Sequence, residues 1–257
     1  MNTIDRIAYS NALAGASAAV KTALALGMLV AALLLPPWPG GPVVLVVMLV
    51  ATLAVARVPA RTYFKLASAP LTFLILGVLP LLVSLQFGGS WLISFSWASG
   101  GVELALRVTL RCLASLSCLF FLSMTTPIPQ VLRVLRQLRV PPVLTEVSLV
   151  IYRDIWVFVD TVASIRSAQS ARLGYRNLRT SYRSLGMLVA TLFGQALQRA
   201  RNMENGMHAR NWQGEIRVLD EGAAASVLGF TVVAAVLLFT VAVSLGAAWA
   251  LGGPWMT

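Results

Sequence analysis

From residue 223 to residue 251 the chain runs without a charged side chain. A helix needs about 20 consecutive apolar residues to cross the ~30 Å hydrocarbon core of a bilayer, so this run alone predicts a membrane span. Four more stretches read the same way. Residues 22–35 are uncharged, with an alanine-rich lead-in from Leu13 broken only by Lys21. Residues 43–56 follow a proline-rich turn at 36–42 and are short for a span, which calls for the flanks or a locally thinned bilayer. Residues 66–87 give a third span, with kinks expected at Pro70 and Pro80, and residues 102–124 a fourth. Composition agrees, with 58% hydrophobic and 11% charged residues and a mean hydropathy of +0.80, where a soluble domain carries about 25% charge. A soluble globule and a disordered chain are both excluded. The first run lacks a small-residue cleavage site and ends in prolines, so it reads as an anchor and not as a signal peptide. The expected fold is an all-α integral membrane protein of about five transmembrane helices plus a cytoplasmic helical domain.

Charge sets the orientation. The net charge is +11, and 18 of the 20 basic residues are arginine. Segments 36–42, 87–101 and 252–257 hold no Lys or Arg, whereas Arg57, Arg61 and Lys65 share one loop. Residues 125–222 contain 13 arginines against 7 acids. Basic loops stay in the cytoplasm. Five spans with an internal N-terminus satisfy that rule throughout, dividing the chain into a membrane region of four spans (1–124), a cytoplasmic region (125–222) and a final span (223–257). The basic surplus fits acidic lipid or protein partners at the cytoplasmic face, not nucleic acid.

The region 125–222 differs in kind. Pro127 follows a Thr125-Thr126 pair expected to cap a helix over 127–139. Ile128, Val131, Leu132, Leu135 and Leu138 share one face of it, opposite Gln130, Arg133, Arg136 and Gln137. Two long helices are expected over about 143–172 and 181–210. Their apolar centres are short, and a transmembrane hairpin would carry Arg166, Arg172, Arg176, Arg179 and Arg183 outside. They read as cytoplasmic helices beneath the membrane.

Catalytic chemistry finds little footing. Residues 15–22 approach a phosphate-binding loop, but Val20 replaces the second glycine and no strand precedes it, so Lys21 reads as an interfacial lysine at the mouth of a span. His208 is the only histidine, with Glu204 one turn back, and reads as a surface residue near a helix end. Cys112 and Cys118 lie six apart in an apolar run, a spacing that forms no metal knuckle. The expectation is a non-enzymatic chain with no cofactor or metal of its own.

Two features remain. Glu103, Arg107 and Arg111 recur every four residues within the fourth span, and charges there usually face inward or meet a partner. Glu103 can pair with Arg107, which makes the stripe a candidate intramembrane subunit contact. The second feature is Ala171-Arg172-Leu173 and Ala209-Arg210-Asn211, one signature closing two successive long helices. Ala56-Arg57, Ala60-Arg61 and Ala200-Arg201 share the dipeptide, so only the helix-end setting marks the two.

With Thr125-Thr126-Pro127, Arg139-Val140-Pro141 and Arg153, these passages resemble the transmembrane T component of energy-coupling factor transporters, the vitamin and metal importers of prokaryotes. The likeness covers nearly the whole chain. Leu173 and Asn211 stand where that family usually has a small residue. The opening Ile4-Asp5-Arg6-Ile7-Ala8-Tyr9-Ser10-Asn11 further resembles the cobalt branch, the CbiQ-type subunit. The resemblance implies two copies of a cytoplasmic ABC-type ATPase that bind ATP and magnesium. It also implies a separate substrate-binding S component, and ATPase coupling at Ala171, Arg172, Leu173, Ala209, Arg210 and Asn211. Nickel or a vitamin would serve as alternative substrates, and a stand-alone secondary transporter is the competing class.

The topology has a direct check. A single cysteine at Tyr175, in a chain lacking Cys112 and Cys118, should react with an impermeant reagent only after the membrane is opened. Labelling from outside intact cells would reverse the assignment.

Overall fold

The computed structural model describes residues 3–87, 93–97, 101–211 and 227–250. In chain order the elements are α1 (Thr3–Ser10), α2 (Ala18–Leu34), α3 (Pro37–Val50) with a wide turn at Ala51–Val55, and α4 (Ala60–Val78). A tight turn at Leu79–Leu82 leads to strands β1 (Val83–Phe87) and β2 (Ile93–Trp97). Then come α5 (Gly101–Thr125), α6 (Ile128–Gln137), α7 (Pro142–Ala171), α8 (Leu178–Ala209) and α9 (Val227–Ala250). The expected all-α membrane class holds, with one antiparallel hairpin in register from Val83↔Trp97 to Phe87↔Ile93. Of the expected last span, residues 223–226 and 251 lie outside the described residues, as does the tail 252–257.

Two span boundaries are corrected. The break expected over 36–42 is confined to its first residues. Trp38 is non-helical (φ −116°, ψ 105°) and its bond to Pro39 is cis, a kink after which the apolar helix runs on through Pro42, so the stretch Pro37–Val55 is long enough for a span. Prolines suit a first helical turn, where the missing N–H groups have no intrahelical acceptor. The third span does not reach residue 87. Helix α4 passes through Pro70 but stops at Val78, because Pro80 has no N–H for the next bond and its ring crowds the carbonyl four residues back. Among the described residues, α3 with its wide turn, α5 and α9 are long and apolar enough to cross a membrane, and α2 is a shorter apolar helix. The chain is a multi-pass membrane protein.

Packing divides the chain into two compact units, Met1–Val131 with Gly222–Thr257, and Leu132–Glu221. The first is a bundle in which α2 and α3 each pack on α5 and α9. Its core joins Ala25, Met28 and Ala32 of α2 to Val44 and Met48 of α3 and to Ala114, Cys118 and Phe121 of α5. Lipid tails are as apolar as leucine, so helices in a bilayer associate by close contact, which favours small side chains. A Cβ on Gly41 would lie 3.1 Å from Leu110 Cβ and 3.4 Å from its carbonyl carbon and oxygen. A second cluster sets Tyr63 and Ala67 of α4 against Ala56, Val58 and Met124.

The bundle is closed by a buried cation. Lys21 is 3% exposed. Its ammonium donates to Leu13 O (3.1 Å), Thr125 O (3.0 Å) and Gln130 Oε1 (3.4 Å). Asn11 Nδ2 donates to Ala8 O (2.9 Å), Met124 O (3.1 Å) and Thr125 O (3.4 Å). The last four carbonyls of a helix have no partner within it and carry the negative end of its dipole, so a lysine and an amide at the end of α5 answer both demands. Lys21 sits at the mouth of its span, as expected, and there it is turned inward and enclosed. Each of its three donors finds an oxygen, the condition under which a buried ammonium is tolerated.

The Thr125-Thr126 pair does not cap the next helix. Helix α5 runs through Thr125, whose buried hydroxyl donates back to Phe121 O (2.7 Å). Pro127 O takes the capping role, accepting from Gln130 N (2.9 Å) and Val131 N (3.2 Å).

Glycine packing gives the prediction for this unit. Gly41→Leu should destabilise the bundle by ~1–3 kcal/mol through overpacking. Gly77→Leu in α4, with open space around its Cβ position, should be near neutral. Thermal unfolding in detergent compares them, and equal melting temperatures would refute the close-contact account.

Candidate coupling site

The unit Leu132–Glu221 is built on α7 and α8. Helix α7 is opened by Pro142 at its first turn and ends at Ala171. Arg172 is the half-in residue after it (φ −93°, ψ 16°), and Leu173 turns left-handed (φ 56°). Leu173 N donates to Ser170 O (3.0 Å) and Gly174 N to Gln169 O (2.8 Å), a Schellman closure. Helix α8 ends alike: Arg210 has φ −100° and ψ 16°, Asn211 turns left-handed (φ 53°), and its N–H donates to His208 O (3.1 Å). The repeated signature is thus one backbone device. Alanine closes the helix, arginine leaves it, and the third residue reverses the chain, where glycine is easiest to accommodate.

The first of these turns is clasped by side chains. Gln169 Nε2 donates to Ser184 O (2.9 Å), and Ser184 Oγ donates to Gly174 O (2.9 Å). Tyr175 OH donates to Gln169 Oε1 (2.7 Å), and the Arg166 guanidinium lies 6.0 Å over the Tyr175 ring. A Cβ on Gly174 would meet Ser184 Oγ at 2.6 Å and Gln169 O at 2.9 Å, so glycine is required there. Arg172 therefore projects from a fixed base. Further along, Arg199 Nε bonds Asp154 Oδ1 (2.9 Å) across α7 and α8, beside an apolar groove of about 300 Å³ lined by Ile151, Ile155, Phe158, Met203 and Met207. Nothing in the local sequence pattern marks Gln169, Tyr175 and Ser184, since their role depends on a turn whose partners lie 6 to 15 residues apart.

The two arginines are not brought together. They flank opposite ends of α8, whose 32 residues span roughly 48 Å at ~1.5 Å each. One pocket cannot hold both.

The other dipeptides separate as controls only in part. Arg201 lies within α8. Arg57, expected to lack a helix-end setting, does close a helix: Ala56 N donates to Ala51 O (2.9 Å) and Arg57 itself turns left-handed (φ 54°). There the arginine is the reversing residue, one position later than Arg172 and Arg210.

On α5, Arg107 pairs with Glu103 at 2.7 Å, both partly exposed, so that pair is a surface feature of the lone chain. Arg111 Nε is buried and makes no hydrogen bond among the described residues. His208 lies 4.0 Å from Glu204, with both side chains exposed near the end of α8. Among the described residues no three His, Cys, Asp or Glu side chains gather as a metal site. Of the apolar stripe expected over 127–139, Ile128, Leu135 and Leu138 are exposed, while the buried residue of α6 is Val134, outside that stripe.

Comparison with known proteins adds to this geometry. A family described as CbiQ, cobalt transport protein, matches residues 12–221. The cobalt transport protein CbiQ of Rhodobacter capsulatus is 40% identical over 88% of this chain and 91% of its own length. That of Salmonella typhimurium is 29% identical over 85% of this chain and all of its own. A Methanocorpusculum labreanum chain, named as a fused cobalt transport protein CbiMQ, is 32% identical over 68% of this chain and 30% of its own.

Leu173 makes the helix-end reading testable. A left-handed leucine costs ~1–2 kcal/mol, offset in part by the greater unfolded freedom of glycine. Leu173→Gly should therefore stabilise the chain by about 1 kcal/mol, whereas Asn211→Gly should change it little, since asparagine tolerates that backbone. Calorimetric melting resolves the difference, and a destabilising Leu173→Gly would contradict it.

Proposed function

The chain belongs to the CbiQ cobalt transport protein family, and on that basis we propose that it is the energy-coupling membrane subunit of an ATP-driven cobalt importer. In this reading the membrane bundle is anchored in the prokaryotic plasma membrane with Leu132–Glu221 on the cytoplasmic side. Arg172 and Arg210 dock in grooves of two copies of an ABC-type ATPase, which bind ATP and magnesium. The movement of the ATPases passes through α7 and α8 to a substrate-binding membrane subunit that carries Co²⁺. The chain itself performs no catalysis and holds no cofactor.

The observation that carries this reading is the pair of identically built arginine ends at opposite ends of α8. One subunit touched at both would have to reach along the helix, while two copies of one subunit can each accept one end. Arginine suits such a groove, since its fork bonds a carboxylate through two hydrogens and keeps its charge when desolvated. The arginine excess of 125–222 and the family membership agree. The fused relative, whose name joins CbiM and CbiQ, supports a second cobalt transport component beside this one.

Truncating one member of a desolvated charge pair typically costs ~2–5 kcal/mol. Arg172→Ala or Arg210→Ala should each weaken retention of the ATPase and slow Co²⁺ uptake. Two anchors on one scaffold act through effective concentration, so the double variant should release the ATPase and abolish uptake with the chain still in the membrane. Arg201→Ala should behave as wild type. Co-purification and radioactive Co²⁺ uptake measure both effects. A double variant that still holds the ATPase and transports normally would remove these arginines from the interface.

A further inference from the structure

The buried Lys21 has a use that holding the bundle does not exhaust. We propose that Lys21 and Gln130 form the joint that transmits movement of α6 to the membrane helices, a reading that rests on the coupling function above. Lys21 binds oxygens from three different segments: Leu13 before α2, Thr125 at the end of α5, and Gln130 in the first turn of α6. Asn11 grips the same end of α5 from the N-terminal segment through Met124 O and Thr125 O. One ammonium thus ties α2, α5 and α6 at a single point.

The three bonds are unequal in kind. Those to Leu13 O and Thr125 O fasten Lys21 to backbone within the bundle, at 3.1 and 3.0 Å. The third, at 3.4 Å, reaches a side-chain oxygen on α6. A tilt of α6 about Thr126-Pro127 would pull on Gln130 first, and through Lys21 on α2 and the end of α5 together. Helix α6 is also the covalent entry into the unit that carries Arg172 and Arg210, since the division between the units falls between Val131 and Leu132. Its apolar residues Ile128 and Leu135 are exposed, whereas Val134 is buried. The clasp at the first turn of α6 decides which membrane helices follow when that turn moves.

The test uses the complete transporter in proteoliposomes, this chain with its ATPases and substrate-binding membrane subunit. Radioactive Co²⁺ uptake and phosphate release are measured on one sample. Gln130→Leu should retain the ATPase and hydrolyse ATP while moving about fivefold fewer Co²⁺ ions per ATP, within the range by which a coupling element modulates linked sites. Gln130→Glu keeps an oxygen for Lys21 and should restore the ratio. Lys21→Met should uncouple more completely; if it fails to accumulate in the membrane, the two Gln130 variants decide. A merely structural role would lower uptake and hydrolysis together and leave the ratio unchanged, and a Gln130→Leu ratio equal to wild type would overturn the joint. Failure of the wild-type chain to retain any ATPase would instead refute the coupling function.

Discussion

A charged amine enclosed by helices has to be satisfied on every hydrogen, and that condition shapes the membrane unit. Lys21 finds its acceptors only because Leu13, Thr125 and Gln130 converge on it. The end of α5 is thereby placed against the start of α2, and the direction in which α6 leaves is tied to both. Removing the lysine would take a donor from Leu13 O, Thr125 O and Gln130 Oε1, leaving Thr125 O only its longer bond from Asn11, while keeping it in another arrangement would leave a desolvated charge; both are expensive. The apolar contacts of the bundle are permissive by comparison, since many combinations of Ala, Val and Met pack equally well.

The second unit relies on backbone geometry. Leu173 and Asn211 both reverse the chain in the left-handed region, and Arg139 (φ 64°) does so after α6. Val140 N closes that turn on Leu135 O (3.2 Å). Three helices in succession thus end on the same kind of reversal, each releasing the chain in a set direction. Around Leu173 the clasp of Gln169, Tyr175 and Ser184 makes that direction rigid. Rigidity is what a helix end needs if force applied at its arginine is to move the whole helix.

Much of the fold was legible because the bilayer imposes length. The apolar runs located α2, α3, α5 and α9, and the break at Pro141-Pro142 located the start of α7. Misreadings clustered at prolines and polar residues inside apolar sequence. The stretch 36–42 reads as a turn throughout from its prolines, yet the break is confined to the kink at Trp38 and the helix already includes Pro42. The run to residue 87 reads as continuous from hydropathy, yet Pro80 ends α4 near Val78. Thr125-Thr126 reads as a helix start from residue type, yet a buried threonine bonded back into its own helix is equally well satisfied.

What the sequence determines by itself is what short-range periodicity and solvent enforce. These are membrane residence, the order of helices, the arginine-rich middle region, and the repeated Ala-Arg signature at two helix ends. Only the tertiary structure decides that Lys21 is enclosed by the bundle. The oxygens that enclose it lie 8, 104 and 109 residues away in the chain, beyond any local pattern. It likewise decides that Arg57, with the same dipeptide, reverses its helix one residue out of step with Arg172 and Arg210. A dipeptide names two side chains, but the direction in which they point is a backbone dihedral, set by the hydrogen bonds that close the helix.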